Sequence, residues 1–519
     1  MASEYCLGIE FGSTRIKAQL IDETMAVVAT GSHTWENQLI SGQWSYPLED
    51  VWTGVRQAYA ELAREARRVL GQPLTTLRAI GISAMMHGYL AFDESGELLV
   101  PFRTWRNTTT AQASEELTKK LNFTIPQRWS IAHLYQAVLN GEDHVPRIRC
   151  LTTLAGYVHS MLTGERVLGV GDASGMFPIG ADHSWDQDRL GVVQGLLDEH
   201  HAGVNLIDIL PEVREAGQIA GRLTEEGALL LDPTGHLVAG VPFCPPEGDA
   251  GTGMVATDAV APRTGNISAG TSIFAMVVLD RDLTRLHPEI DMVTTPAGDP
   301  VAMVHCNNGA SEIDAWAQVF GQFAARAGTQ LDSSSVFEIL FGAALEGDRD
   351  GGGLLAYNYL AGEPITGLEE GRPLIVRTPS SRLNLENLMR TLIMSSFATL
   401  SLGMRILADE DVRVDSMFAH GGVFATPGIA QRLLAAALGA PVSVGRTASE
   451  GGAWGMAVLA AYSADTGGLG LTEYLSSRVF ASAQVLTVDP DPADVAGYAR
   501  FLASYERGLA IQRTAVESC

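Results

Sequence analysis

Residues 8–22 read GIEFGSTRIKAQLID, which is an apolar strand, a small turn at Gly12-Ser13-Thr14 and a second apolar strand. A third apolar run at 26–31 extends the hairpin into a meander. Residues 48–70 then carry apolar side chains at steps of three and four, and a strand pattern follows at 77–83. This order of three strands, a helix and a strand predicts an α/β domain with a mixed sheet.

A similar opening returns in the second half of the chain. Residues 265–280 read GNISAGTSIFAMVVLD and align with residues 8–22 around the turns at Gly270 and Gly12. The pattern then continues with predicted helices at 311–326, 385–408, 428–438 and 452–463 and strands at 417–420 and 441–444. We therefore predict two α/β domains of related design that meet near residues 250–262, with their hairpin turns facing across a cleft.

Size and charge narrow the classes of partner. The chain has 519 residues and a formal net charge of -25, which repels nucleic acid and anionic lipid because both are bound through Lys and Arg. The N-terminal residues lack a basic segment followed by an apolar one, and no long uncharged apolar run is present. These features predict a cytoplasmic protein that binds neither nucleic acid nor membranes. The five scattered cysteines predict reduced thiols.

The two small turns are candidate phosphate sites. Gly, Ser and Thr allow a ligand to approach backbone N–H groups closely and add hydroxyl donors. Gly12, Ser13 and Thr14 fit this description, and so do Gly270, Thr271 and Ser272. Each turn taken alone is more often an ordinary hairpin, but the occurrence of the pair favours phosphate binding.

A glycine pair marks a third candidate loop. In FAHGGVFATPG, Gly421 and Gly422 follow a short strand and precede a helix that has Pro427 near its first turn. The segment lacks both the P-loop and the GxGxxG patterns. A strand, loop and helix in this order suit a nucleotide, and tight packing is the alternative explanation for the glycines.

Two polar residues are candidates for chemistry. Asp249, in PPEGDAGTG, stands at a predicted helix start, where a carboxylate either caps the helix or acts as a general base in phosphoryl transfer. His87 follows a predicted strand and is either a packed histidine or a ligand contact. The residues alone leave both choices open.

Taken together and in order, these motifs resemble those of the FGGY carbohydrate kinases, within the sugar kinase, heat-shock 70 and actin superfamily. The resemblance extends over residues 4–465. It is carried by the following segments: GIEFGSTRIKA, SGQWSYPLEDVW, MHG at 86–88, LTGE at 162–165, GDASGM at 171–176, GDAGTG at 248–253, ISAGTS at 267–272, YLAGEP at 359–364 and GGVFATPGIAQRLLAAALGAPV.

The resemblance implies a fold, cofactors and site residues. The fold would be α/β, with two ribonuclease H-like (actin-like ATPase) domains flanking a catalytic cleft: residues 1–255, 256–470, and an extension at 471–519. The cofactors would be ATP and Mg²⁺. Asp249 would be the catalytic base, and Met86, His87 and Asp249 would contact the sugar. Gly12 to Thr14 and Gly270 to Ser272 would hold the phosphates, Gly421 and Gly422 would lie against the adenosine, and Glu10, where the family usually has Asp, would lie near the metal.

The activity implied is ATP-dependent phosphorylation of a free sugar, with a ketopentose such as xylulose or ribulose as the expected substrate. Ala250 stands where xylulokinases have Asn and glycerol kinases Gln, so one sugar contact is missing. Kinases of another polyol or a hexulose therefore stay open. So do a sugar-binding regulator with weakened catalysis and a superfamily member that uses ATP as a conformational switch. A homodimer is also left open.

Overall fold

The computed structural model describes residues 4–445, 451–483 and 485–518. The strands are β1 Cys6–Phe11, β2 Arg15–Ile21, β3 Val27–Thr34, β4 Gln38–Ile40, β5 Gln43–Ser45, β6 Ala79–Ala84, β7 Leu90–Phe92, β8 Cys150–Thr152, β9 Val167–Gly169, β10 Glu212–Arg214, β11 Glu247–Gly248, β12 Thr264–Ala269, β13 Ile273–Val278, β14 Ile290–Thr294, β15 Pro300–Cys306, β16 Leu355–Tyr357, β17 Leu374–Val376, β18 Ser416–His420, β19 Val442–Gly445 and β20 Val485–Val488. The helices are α1 Leu48–Leu70, α2 Ala111–Leu121, α3 Ser130–Leu139, α4 Leu154–Thr163, α5 Val170–Ala173, α6 Gln187–Glu199, α7 Leu206–Ile209, α8 Glu225–Leu231, α9 Asp249–Ala256, α10 Ser311–Arg326, α11 Ser333–Glu346, α12 Leu385–Asp409, α13 Ile429–Leu438, α14 Gly451–Ala464, α15 Leu471–Tyr474 and α16 Pro492–Ser518.

The chain divides into two compact units. Among the described residues, the first unit comprises 4–260, 291–301 and 451–482, and the second comprises 261–290, 302–445, 483 and 485–518. The segment after residue 470, which the sequence left unplaced, is therefore shared between the two units. The domain boundaries predicted from the sequence stay a prediction.

The first unit is built on a five-stranded sheet of order β11-β6-β1-β2-β3. β1 runs antiparallel to β2 and parallel to β6, with Cys6 opposite both Ile21 and Ala79. Helix α1 packs against β2 and β3, and α14 packs against β1, β2 and β6. The N-terminal meander predicted from residues 5–31 is confirmed, and the sheet directs the end of β1 and the β1–β2 turn to one edge.

The second unit repeats this topology in the strand run β15-β13-β12-β18-β19. Here β12 pairs antiparallel with β13 and parallel with β18, and β18 is parallel to β19. In both units the first hairpin strand is central. Its antiparallel hairpin partner and one further strand lie on one side, and two parallel strands lie on the other. This shared order is that of a ribonuclease H-like domain, so the internal repeat predicted from the sequence is confirmed.

Strand β20 extends the second sheet beyond the repeated part. It pairs antiparallel with β19, with Val442 opposite Val488 and Gly445 opposite Val485. The buried amide of Gln431, on α13, donates from Nε2 to the carbonyl oxygens of Val442 and Leu486 at 2.7 Å each. The Gln431 side chain is therefore hydrogen-bonded to both β19 and β20, the last two strands of the sheet.

Two expectations about the chain concern its thiols and its apolar segments. The four described cysteines, Cys6, Cys150, Cys244 and Cys306, are free thiols, and Cys519 lies outside the described residues. One described helix, α12, is long and apolar enough to cross a membrane by length and composition, and 72% of its apolar window is buried inside the protein.

Candidate active site

The β1–β2 turn of the first unit is held from its carbonyl side. The Gly12 N–H donates to the Arg15 carbonyl at 3.0 Å and closes the turn. Trp35 Nε1 donates to the Gly12 carbonyl at 2.7 Å, and the Tyr46 hydroxyl donates to the Ser13 carbonyl at 2.6 Å. Ser13 and Thr14 are exposed. The turn is thus oriented by two buried aromatic residues, while its hydroxyl-bearing residues face solvent.

The β12–β13 turn has the same construction in the second unit. The Gly270 N–H donates to the Ser272 carbonyl at 2.9 Å. The Gly270 and Thr271 carbonyls accept bonds from Ala310 N–H at 2.9 Å and Gly309 N–H at 2.7 Å, respectively. Thr271 is exposed. Both turns predicted as phosphate sites are therefore anchored through their carbonyl oxygens, which suits a loop that offers donors to an anion.

Asp249 is the first residue of α9, directly after β11. Its Oδ1 accepts hydrogen bonds from the backbone N–H of Met86 at 3.1 Å and of Ala250 at 3.0 Å. Burial raises the pKa of this carboxyl to about 6, against the lowering effect of the backbone donors. A carboxyl that titrates this close to neutrality and is fixed in orientation is suited to accept a proton.

Met86 and His87 lie beside Asp249 at the end of β6. His87 is buried and adopts a left-handed backbone conformation with φ 68°, which costs energy for a residue other than glycine and is common at functional sites. Its Nδ1 lies 3.0 Å from the Gly175 carbonyl oxygen, and its ring stacks on Trp129 with centroids 6.3 Å apart. Because a carbonyl only accepts, Nδ1 carries the hydrogen of this bond.

Glu10 brings a second carboxyl to the same edge of the sheet. It is the fifth residue of β1, and its carboxyl accepts a bond from the Ala453 N–H near the start of α14. A Cβ built at Gly452 would lie 2.2 Å from Glu10 Oε1, so only glycine admits the carboxyl there. Burial, and then the charge of Asp249, raise the pKa of Glu10 to about 7.

The donor set suits magnesium bound together with phosphates. Within the described ranges, no group of three or more His, Cys, Asp and Glu side chains is placed to hold a metal ion. Mg²⁺ does not need such a cage, since it is usually held by one or two carboxylates plus substrate phosphates and water. Glu10 supplies one carboxylate at this edge of the sheet, close enough to Asp249 for their charges to interact, and so fits this donor set.

Two further acids stand behind Asp249 and were not singled out from the sequence. Asp172, on α5, and Glu247, on β11, are 0% and 1% exposed. Burial raises the pKa of both carboxyls, and the charge of Asp172 adds to the effect on Glu247. A sequence signal existed, since Asp172 lies in the quoted segment GDASGM and Glu247 precedes Asp249 by two residues.

The glycine pair of the second unit serves two purposes. Gly421 has φ 112°, and a Cβ there would lie 2.1 Å from the Ala269 carbonyl oxygen, next to the β12–β13 turn. Over the part of the chain that the structure describes, no atom lies within 4 Å of a Cβ built at Gly422. Gly421 is therefore required by backbone packing, while Gly422 borders open space that a ligand could fill.

A cavity of about 440 Å³ begins next to this loop. Its walls come from the start of α13 and from β19 and β20, and they are mainly apolar. They comprise Phe424, Thr426, Pro427, Gly428, Gln431, Val444, Gly445, Val485 and Leu486. Two of them, Val485 and Leu486, are large apolar residues that stay 38% and 51% exposed, as expected for a surface that a flat apolar group covers.

Comparison with known proteins places the chain in a family. Residues 5–255 and 265–464 match the models of the N-terminal and C-terminal domains of the FGGY family of carbohydrate kinases. The chain belongs to this family. The resemblance predicted from its motifs is confirmed.

Individual relatives are distant. The chain is 23% identical to a Staphylococcus xylosus xylulose kinase over 43% of its own length and 45% of that protein's. It is 24% identical to a Brucella suis glycerol kinase over 57% and 60% of the respective lengths. The structure superposes on the xylulose kinase of Rhodospirillum rubrum with a TM-score of 0.78 and 20% identity, covering 98% of each chain. The predicted actin-like α/β fold is thereby confirmed.

Some of the predicted site residues therefore lie close together in the first unit. Met86 and Asp249 are in direct contact, Glu10 responds to the charge of Asp249, and His87 is adjacent in the chain. In the second unit, Gly421 contacts the strand that leads into the Gly270–Ser272 turn. The roles of all these residues stay predictions.

Proposed function

We propose that the chain is an ATP-dependent kinase that transfers the γ-phosphoryl group of MgATP to the terminal hydroxyl of a ketopentose such as xylulose or ribulose. The carrying observation is the Asp249 carboxyl, held by two backbone donors at a helix start beside Met86 and His87. Membership of the FGGY carbohydrate kinases supports the reaction class.

In this proposal, Asp249 is the general base. Its Oδ1 is occupied by the backbone donors, so Oδ2 takes the proton of the attacking hydroxyl. The new oxygen–phosphorus bond forms as the bond from the γ-phosphorus to the bridging oxygen breaks, and ADP leaves. Phosphoryl transfer of this kind depends mainly on positioning and on neutralising charge. Met86 and His87 would contact the sugar.

The proposal assigns segments of the chain to the parts of MgATP. We assign the Gly12–Thr14 and Gly270–Ser272 turns to the phosphates, the neighbourhood of Gly421 and Gly422 to the nucleoside, and the cavity beside Phe424 to its base. The magnesium ion of MgATP, held by Glu10, would neutralise phosphate charge. An acidic protein can bind such an anion because the metal and the backbone N–H groups supply local positive potential.

The pKa of Asp249 predicts how activity depends on pH. Asp249 accepts a proton only when ionised, so kcat/KM should fall as the pH decreases through about 6. The measurement is kcat/KM for the sugar at saturating MgATP across this range. An activity that stays constant down to the ordinary pKa of an aspartate, about 4, would exclude Asp249 as the base.

The cavity is tested by Leu486→Ser, which replaces an exposed apolar wall residue of β20. Removing this surface should raise KM for ATP by about tenfold, equivalent to about 1.4 kcal/mol, and leave KM for the sugar unchanged. Leu383→Ser is the matched control, since Leu383 is also 51% exposed in the second unit but does not line the cavity. Equal effects of the two variants on KM for ATP would show that the adenine base does not bind in this cavity.

A substrate panel tests the sugar assignment. We expect a ketopentose to be preferred over glycerol and hexuloses by at least about tenfold in kcat/KM. Glycerol is the second candidate, because a glycerol kinase is among the relatives. Glycerol as the best substrate would overturn the ketopentose assignment and leave the kinase assignment standing.

A further inference from the structure

Asp172 and Glu247 are buried acids that have no cationic partner among the described residues. Their recorded contacts are hydrogen bonds, none of them with Arg, Lys or His in the described part of the chain. An ionised carboxylate that is removed from water without a partner costs several kcal/mol, and such a group keeps its proton instead. At least one of these two acids is therefore expected to be neutral.

The hydrogen bonds distinguish the two acids. Glu247 Oε1 accepts the Gly171 N–H at 3.3 Å, and Oε2 accepts the Asp172 N–H at 2.9 Å. In the described ranges of the chain, Asp172 Oδ2 accepts the Thr153 hydroxyl at 2.6 Å, and Asp172 Oδ1 is buried with no hydrogen-bond partner. Backbone donors stabilise a negative charge on Glu247. The carboxyl of Asp172 has one hydroxyl donor and one oxygen without a hydrogen bond, so a negative charge on it is less stabilised.

The charged surroundings of Asp172 point the same way. Glu247 faces it from β11 and Asp249 from the start of α9, and Glu10 lies beyond Asp249. All three are acids. A negative charge on Asp172 would therefore be repelled from two sides in a buried setting.

We propose that Asp172 is a neutral carboxylic acid at neutral pH, with its proton on Oδ1, and that it acts as a positioning residue behind Asp249. Because Asp172 keeps its proton, it adds no negative charge to those of Glu247 and Asp249. Asp249 can then be ionised, as a general base must be. The role assigned to Asp249 rests on the proposed function, but the protonation of Asp172 does not. Burial raises the pKa of Asp172 to about 7 and that of Glu247 to about 8, so the choice of Asp172 as the protonated acid rests on the hydrogen bonds.

The first test is thermal stability against pH for Asp172→Asn, which keeps the shape and is permanently neutral. A carboxyl whose pKa is higher in the folded than in the unfolded protein destabilises the fold progressively as pH rises from about 4 toward the folded pKa. The wild type should lose stability in this way as the pH rises, and the variant should not. We expect Tm of Asp172→Asn minus Tm of the wild type to increase by about 4 °C or more between about pH 5 and pH 8.

The matched control is Asp232→Asn. Asp232 is also buried in the first unit, but its carboxylate accepts bonds from Thr234 N–H and hydroxyl, His236 N–H and Leu237 N–H. This variant should lower Tm at about pH 8, because an amide cannot serve all of these donors. A lower Tm of Asp172→Asn than of the wild type at the same pH would overturn the proposal.

The second test is infrared spectroscopy of the wild-type protein without substrates. We expect the carbonyl-stretch band of a protonated carboxylic acid at neutral pH, its loss at alkaline pH and its reduction in Asp172→Asn. Absence of the band from the wild type would overturn the proposal even if the variant fails to fold. Since neither test involves ATP or sugar, both outcomes are independent of whether the proposed kinase activity is correct.

Discussion

Asp249→Asn is expected to lower kcat by about 10² to 10⁴, the usual contribution of a general base. Asn keeps a carbonyl oxygen to accept the Met86 and Ala250 N–H bonds, so the start of α9 should hold its geometry. An amide cannot take the hydroxyl proton, however. We therefore expect sugar binding, measured by calorimetry, to survive while steady-state turnover is lost.

Asp258→Asn is the matched control for this loss. Asp258 follows the other end of α9, and burial raises the pKa of its carboxyl to about 6 as well. A perturbed pKa by itself is therefore no proof of catalysis. We expect near-normal turnover in Asp258→Asn. Near-normal turnover in Asp249→Asn would show that Asp249 is not the general base.

Glu10→Gln is expected to raise the Mg²⁺ concentration needed for half-maximal activity by about 10- to 100-fold, because a charged ligand is replaced by a neutral one. Glu10→Asp should have a milder effect, since waters around Mg²⁺ can absorb the shorter reach. Both are measured as activity against free Mg²⁺ at saturating ATP and sugar.

The position of Glu10 near α14 makes stability the necessary control. Glu10 accepts the Ala453 N–H, so either variant could loosen the contact between β1 and α14. A lowered Tm with an unchanged Mg²⁺ requirement would show that Glu10 is structural. An unchanged activity of Glu10→Gln at limiting Mg²⁺ would contradict its role at the metal.

Short-range patterns were enough to predict much of the fold. The strand–turn–strand segments around Gly12 and Gly270 are local features, and their repetition predicted the shared sheet order that the two units show. Asp249 could be placed at a helix start for the same reason, because the two prolines and the following small residues define that boundary locally.

Contacts between distant residues could not be predicted in this way. Asp172 and Glu247 are 75 residues apart in the chain, and only the fold brings the Glu247 carboxyl to the Asp172 N–H. Gly421 and Gly422 look equivalent as letters, yet one packs on the Ala269 carbonyl and the other borders open space. The part played by β20 in the cavity likewise depends on its pairing with β19.

The central claim is direct transfer of the γ-phosphoryl group from ATP to a sugar hydroxyl. Incubation of the purified protein with γ-labelled ATP, Mg²⁺ and a ketopentose, followed by separation of the products, tests it most directly. The account predicts that label appears in a sugar phosphate in a one-to-one ratio with ADP, and that ADP formation is negligible without sugar. Label found only in inorganic phosphate, at a rate that sugar does not change, would contradict it.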